Sequence, residues 1–151
     1  MILQILGSGS NGNCYLLKDS NNKILILECG INIKILKKAL NYDFSNVAGC
    51  LVTHEHKDHS KYVNDLIMMG IDVYMTQGTV EALQIADSYR LHIIKSEKMF
   101  ILGSIKILPF EVKHDAKEPV GFLIKTQELY YKIRGLFPLK LEQEINLQFI
   151  K

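Results

Sequence analysis

A chain of 151 residues, 48% apolar and 23% charged, carries enough apolar surface for one domain with a hydrophobic core and too much to remain disordered. Its formal net charge of +2 gives no global electrostatic case for nucleic acid or a membrane surface, although a balanced total still leaves room for a local basic patch and so for a nucleic-acid substrate. No run reaches the roughly 20 apolar residues of a membrane span, and the opening Met1-Ile2-Leu3-Gln4-Ile5-Leu6 lacks the basic start and the length of a signal peptide, so a cytoplasmic protein is expected.

The first 30 residues read as an antiparallel β opening. Strands are expected over Ile2–Leu6, Cys14–Leu17 and Lys23–Glu28, with a turn at Asp19-Ser20-Asn21-Asn22. The first two strands are joined by Gly7-Ser8-Gly9-Ser10-Asn11-Gly12-Asn13. That loop lacks the Gly-Lys-Ser/Thr of a phosphate-binding P-loop, and no helix follows it. It reads as a flexible β connection or as a loop lining a site. Ile33, Leu36 and Leu40 fall at helical spacing, with Lys34, Lys37, Lys38 and Asn41 on the solvated side. Gly49–Thr53 is a buried strand. A second helix is expected over about Ser60–Met69, stopped by Gly70, followed by a strand over Ile71–Met75. A third helix starting near Gly78-Thr79 turns Val80, Leu83 and Ala86 inward. Strands then recur at His92–Ile94, Met99–Leu102, Ile105–Val112 and Val120–Thr126. The result is a layered α/β arrangement without repeats or linkers. Gln127–Lys151 fits either a terminal helix or a loose β-hairpin. Cys14, Cys29 and Cys50 form no Cys-x-x-Cys pair and read as free, buried thiols in a reducing compartment.

Chemistry concentrates at one strand end. In Thr53-His54-Glu55-His56-Lys57-Asp58-His59, four residues of metal-ligand type occupy six positions. Neutral imidazole and carboxylate bind zinc at about 2.0–2.2 Å. A strand end holds the backbone while the chain turns, so alternate residues converge. His54 and His56 can share one ion, and Asp58 and His59 can turn toward a second, an arrangement suited to activating water and clamping an oxyanion. Glu55 and Lys57 read as solvated spacers. His114 ends a strand and is a candidate third histidine for the first ion, whereas His92 has no such company and reads as an ordinary strand residue.

Those residues resemble the metal motif of the metallo-β-lactamase superfamily. The segments Leu6–Leu17, Ile24–Gly30 and His114–Phe122 resemble a branch of small bacterial and phage hydrolases with nuclease-like or phosphodiesterase character. The resemblance covers residues 1–126 of a single domain, 1–151, with 127–151 a short divergent tail. It implies an αβ/βα sandwich with the metal site at one edge. It places His54, His56 and His114 on the first ion and Asp58 and His59 on the second, with Asp58 also orienting the attacking water. The implied reaction is hydrolysis of a phosphodiester or nucleotide substrate by metal-bound hydroxide. One or two Zn2+ ions are implied, with Mn2+ as the alternative.

The family also carries an Asp-Thr-Gly turn that bridges two metals, and a final histidine. This sequence has no Asp after Asp115 and no His after His114, and it has Glu28 where the family commonly has Asp. The second half of the sandwich is therefore expected to be incomplete, with the second ion weakly held and an apolar face and strand edges uncovered. A homo-oligomer or a partner chain completing the fold would answer both. The alternative to a hydrolase is a non-catalytic remnant or binding module that keeps the fold with one metal ion or none.

Overall fold

The computed structural model describes residues 2–126 and 130–133. Six strands form the first sheet in sequence order: β1 (Ile2–Gly7), β2 (Cys14–Lys18), β3 (Ile24–Leu27), β4 (Val47–Leu51), β5 (Val73–Thr76) and β6 (Leu91–Ile94). The first three pair antiparallel, as the opening of the sequence predicts, and β3 to β6 are parallel. Parallel neighbours need crossovers. These are α1 (Ile33–Ala39) between β3 and β4, α2 (Lys57–Ser60) and α3 (Val63–Met68) between β4 and β5, and α4 (Gln77–Leu83) between β5 and β6. A second, antiparallel sheet runs in the order β10 (Tyr130–Ile133), β9 (Val120–Lys125), β8 (Ile105–Glu111), β7 (Phe100–Leu102).

Alternation along the central strands builds two cores at once. Cys14, Leu16, Ile26, Cys50, Val52, Val73 and Met75 face the helices, where Leu36, Leu40, Val63 and Leu66 meet them. The intervening Tyr15, Leu17, Leu25, Leu27 and Leu51 face the second sheet, against Ile105, Ile107, Val120, Phe122 and Ile124. Period-2 side-chain direction is the cause, and strands buried on both faces read as unbroken apolar runs. Each fully buried Leu or Ile contributes about 1.5–3 kcal/mol by transfer from water. The order is therefore helices, sheet, sheet. Among the described residues no helix follows Leu83, and the second sheet has no helical layer of its own.

Two expectations about the helices need correction. The single helix expected over Ser60–Met69 is two helices and begins three residues earlier, at Lys57. The break falls at Tyr62 (φ −110°, ψ 22°), whose N–H is drawn out of the helix to the Cys29 carbonyl at 3.0 Å. The third helix ends at Gln84 in the left-handed region (φ 52°), so Ala86 lies beyond it and is exposed. In the tail, Tyr130–Ile133 pairs antiparallel with β9, in keeping with a hairpin rather than a helix there; the remainder of 127–151 lies outside the described residues. All three cysteines are free and buried.

Candidate metal centre

The ends of β3 and β4 lie side by side and set up the site. Leaving β3, Glu28 adopts a left-handed backbone (φ 66°) and is buried. That conformation is unusual for a side chain larger than Gly or Asn. It turns the carboxylate toward β4, where Oε1 accepts the Thr53 hydroxyl at 2.6 Å and Oε2 accepts the Thr53 backbone N–H at 3.3 Å. A hydroxyl has one proton. With that proton on Glu28, Thr53 Oγ1 accepts from His54 Nδ1–H at 2.8 Å. The relay places the His54 proton on Nδ1 and leaves the Nε2 lone pair free. That Nε2 is buried and has no hydrogen-bond partner among the described residues. Burial, reinforced by His59, His114 and His56, pushes the His54 pKa down to about 3, so the imidazole is neutral at pH 7.

Two further histidines meet His54. His56 caps the start of α2, and His114 sits in the loop Val112–Pro119 between β8 and β9. The rings of His56 and His114 stand 4.6 and 4.5 Å from that of His54, both edge-on. His56 Nδ1 and His114 Nε2 are 3.3 Å apart, and one ligand nitrogen from each of the three lies within 4.8 Å of the others. Two nitrogens on a tetrahedral zinc at about 2.0–2.1 Å lie about 3.3 Å apart. A buried, unpartnered lone pair facing two imidazoles at that separation fits a metal ion. Among the described residues this is the one group of three or more ligand-type side chains so placed.

Asp58 and His59 also come together, with Asp58 Oδ2 3.3 Å from His59 Nε2. The Glu28 carboxylate lies 3.3 Å from His59 Nδ1. Burial lowers the His59 pKa, but Glu28 and Asp58 outweigh it and the net direction is upward. Between the two potential ligands sits Asn13. Its Oδ1 accepts from Gly9 N–H at 3.0 Å and from the Tyr15 hydroxyl at 3.2 Å. The amide nitrogen is thereby directed to the other side, 3.1 Å from Asp58 Oδ2 and 3.3 Å from His59 Nε2. A hydrogen-bond donor thus lies against both Asp58 and His59. The loop from Gly7 to Asn13 is accordingly a wall of the site and not a free connection: Asn13 N–H donates to the Asp58 carbonyl at 2.7 Å, and Gly30 N–H returns to the Asn13 carbonyl at 3.0 Å. A groove of about 620 Å³ runs from Asp58 along this loop, floored by Ile31 and Ile35.

No protein-family profile matches the chain. Exodeoxyribonuclease WalJ from Streptococcus pneumoniae is 34% identical over 125 residues, which cover 76% of this chain and 46% of that protein. Exodeoxyribonuclease YycJ from Bacillus anthracis is 32% identical over 130 residues, covering 78% and 47%. The chain spans about half the length of the curated relatives it matches. The metallo-β-lactamase fold protein YhfI from Bacillus subtilis superposes with a TM-score of 0.71 at 16% identity, over 87% of this chain and 61% of that one. The chain has the metallo-β-lactamase fold.

Within this metallo-β-lactamase scaffold, the sequence pattern located the histidines but not what holds them. Thr53 and Asn13 are invisible as site residues because an ordinary strand end and an ordinary loop contain the same letters. Glu28 stood out only as a departure from Asp. Lys57 is exposed, as expected of a spacer. Glu55 is not a spacer: it is half-buried, and its Oε1 accepts the Lys117 backbone N–H at 2.7 Å. No signal local to Glu55 announces that contact, which spans 62 residues. His92 is an ordinary strand residue, stacked on Tyr74 at 4.6 Å and facing Asp72, outside the cluster.

Proposed function

We propose that this chain is a metal-dependent hydrolase of phosphodiester bonds, nuclease-like in its substrate, with His54, His56 and His114 holding a zinc ion. The observation that carries the reading is the buried, unpartnered Nε2 of His54 facing the other two imidazoles. The names of the relatives, exodeoxyribonucleases, supply the substrate class. When bound, the ion would lower the pKa of water and stabilise charge on a phosphoryl oxygen. The chain's own residues do the rest. Asp58, part-exposed beside the cluster, accepts a proton from the attacking water and orients it. Asn13 and Glu28 hold His59 and Asp58 in place. The groove beside Asp58, apolar in its floor and lined by Ser and Asn, accommodates the nucleotide strand. Manganese is the alternative ion. A cytoplasmic location suits such an enzyme; among the described residues no helix is long and apolar enough to cross a membrane.

Asn13 between Asp58 and His59 favours a second reading, in which a single ion is held and catalysis is weak or absent. A second copy or a partner chain that supplied a bridging carboxylate and a further histidine would instead restore a two-ion site.

The test is metal content per chain after purification without added metal, followed by digestion of 5′-labelled single-stranded DNA with and without a chelator. The hydrolase reading expects bound zinc, chelator-sensitive digestion and its loss in His56→Ala. Unchanged digestion by His56→Ala sinks it. One firmly bound ion with no digestion moves the conclusion to the binding-module reading.

A further inference from the structure

His54 and His56 follow directly from β4, but His114 rides on an exposed loop. Where that histidine sits depends on what fixes Val112–Pro119. The far end of the loop is tied to α4 and its cap: Thr76 Oγ1 donates to the Glu118 carbonyl at 2.8 Å, and Glu118 Oε2 accepts the Gly78 N–H at 2.6 Å. Lys117 Nζ pairs with Glu81 at 2.6 Å, both side chains being about half exposed, and such surface pairs hold little. Ala116 N–H closes a turn onto the His114 carbonyl at 3.0 Å. One contact made by this loop reaches the very segment that carries the other two histidines, the bond from Lys117 N–H to Glu55 Oε1 at 2.7 Å. Glu55 lies between His54 and His56 in sequence, so its carboxylate moves with them.

We propose that Glu55 is a positioning residue for the third metal ligand. By accepting the Lys117 N–H it closes the 112–119 loop and holds His114 against His56. The proposal rests on the reading that the three histidines hold one ion. Without the tether the loop samples positions with His114 swung away, and the apparent metal affinity falls by the fraction of time the three-histidine arrangement is populated. Partners that orient metal ligands from outside the coordination shell typically change affinity by about 10- to 100-fold. Charge is secondary here, because the accepting oxygen alone makes the bond. Gln keeps that oxygen at the same reach, whereas Asp keeps the charge but falls short by one methylene.

The test is zinc affinity by chelator competition on the full chain for the parent, E55A, E55Q, E55D, H114A and E55A/H114A, with hydrogen exchange of the Lys117 amide in the zinc-free proteins. E55A and E55D are expected to weaken zinc by about tenfold or more, with E55Q within about threefold of the parent. In the H114A background, E55A is expected to add nothing. Protection of the Lys117 amide is lost in E55A and E55D and kept in E55Q. Unchanged zinc affinity in E55A, beside a clear loss in H114A, overturns the proposal alone. An equal loss from E55A in both backgrounds also overturns it, because the effect then does not pass through His114. Parent-like zinc binding by H114A overturns the three-histidine reading and the proposal together.

Discussion

Replacing Glu28 by Gln tests the claim that one buried carboxylate sets the proton positions of two histidines. The substitution keeps shape and burial and exchanges one oxygen for an NH2. If the amide nitrogen takes the place of Oε2, it faces the Thr53 backbone N–H at 3.3 Å, donor against donor. If it takes the place of Oε1, it lies 2.6 Å from Thr53 Oγ1 and 3.3 Å from His59 Nδ1. Thr53 must then turn its proton toward His54, which forces the His54 proton onto Nε2, and the His59 proton is pushed to Nε2 as well. Either orientation leaves a conflict among buried groups. A buried donor or acceptor left unmet costs about 1–3 kcal/mol. Zinc-free E28Q should therefore unfold in urea with a stability lower by about that amount, and its zinc affinity should fall by about 10- to 100-fold. The decisive readout is the 15N spectrum of the imidazoles without metal, since it separates Nδ1–H from Nε2–H directly. Parent and E28Q showing the same Nδ1–H tautomer at His54 and His59, with equal urea midpoints, would refute the relay.

Two other outcomes follow from the same neighbourhood. A Cβ placed on Gly30 would overlap the carbonyl of Asp58 and come within 2.8 Å of His59 N. Backbone cannot yield as a flexible side chain can, so Gly30→Ala should cost about 1–3 kcal/mol or more in thermal unfolding and displace Asp58 and His59; a stable variant with parent-like zinc binding would contradict this placement. The second concerns pH. His54 is neutral in the folded, metal-free chain with a pKa of about 3, against about 6.5 when unfolded, so the unfolded state binds more protons between those values. Its contribution is fully present above about pH 6.5 and is lost as pH falls toward 3. His59 is shifted upward and acts in the opposite sense, present below its unfolded value and lost as pH rises through the folded one. The larger His54 shift should dominate, so the zinc-free chain loses stability from pH 7 to pH 5, and His54→Gln should flatten that slope in urea titrations. A slope unchanged by His54→Gln would remove His54 as its source.

How much of this was legible in the sequence depends on how local each cause is. Strands buried on both faces announce themselves: Cys14-Tyr15-Leu16-Leu17 and Ile24-Leu25-Ile26-Leu27 divide alternately between two cores, and apolar runs of that length leave little else. Ligand-type residues crowded at a strand end are equally local, and His54, His56 and His114 meet as their pattern suggests. The break between α2 and α3 is not local, because a carbonyl on the β3–α1 connection, that of Cys29, draws Tyr62 N–H out of the helix. The same holds for the parts that decide how the centre works. Asn13 resembles any loop asparagine until its oxygen is seen committed to Gly9 and Tyr15, which drives its nitrogen between Asp58 and His59. Glu55 reads as solvent-facing because its partner is the backbone N–H of Lys117, and a backbone donor leaves no trace in residue type. Residue identity thus reports which atoms can bind a metal, while the hydrogen-bonded frame reports where those atoms are held. In this chain the frame treats the two halves of the motif differently: it leaves His54 with a buried, unpartnered lone pair beside two imidazoles, and it gives Asp58 and His59 a shared donor in the Asn13 amide.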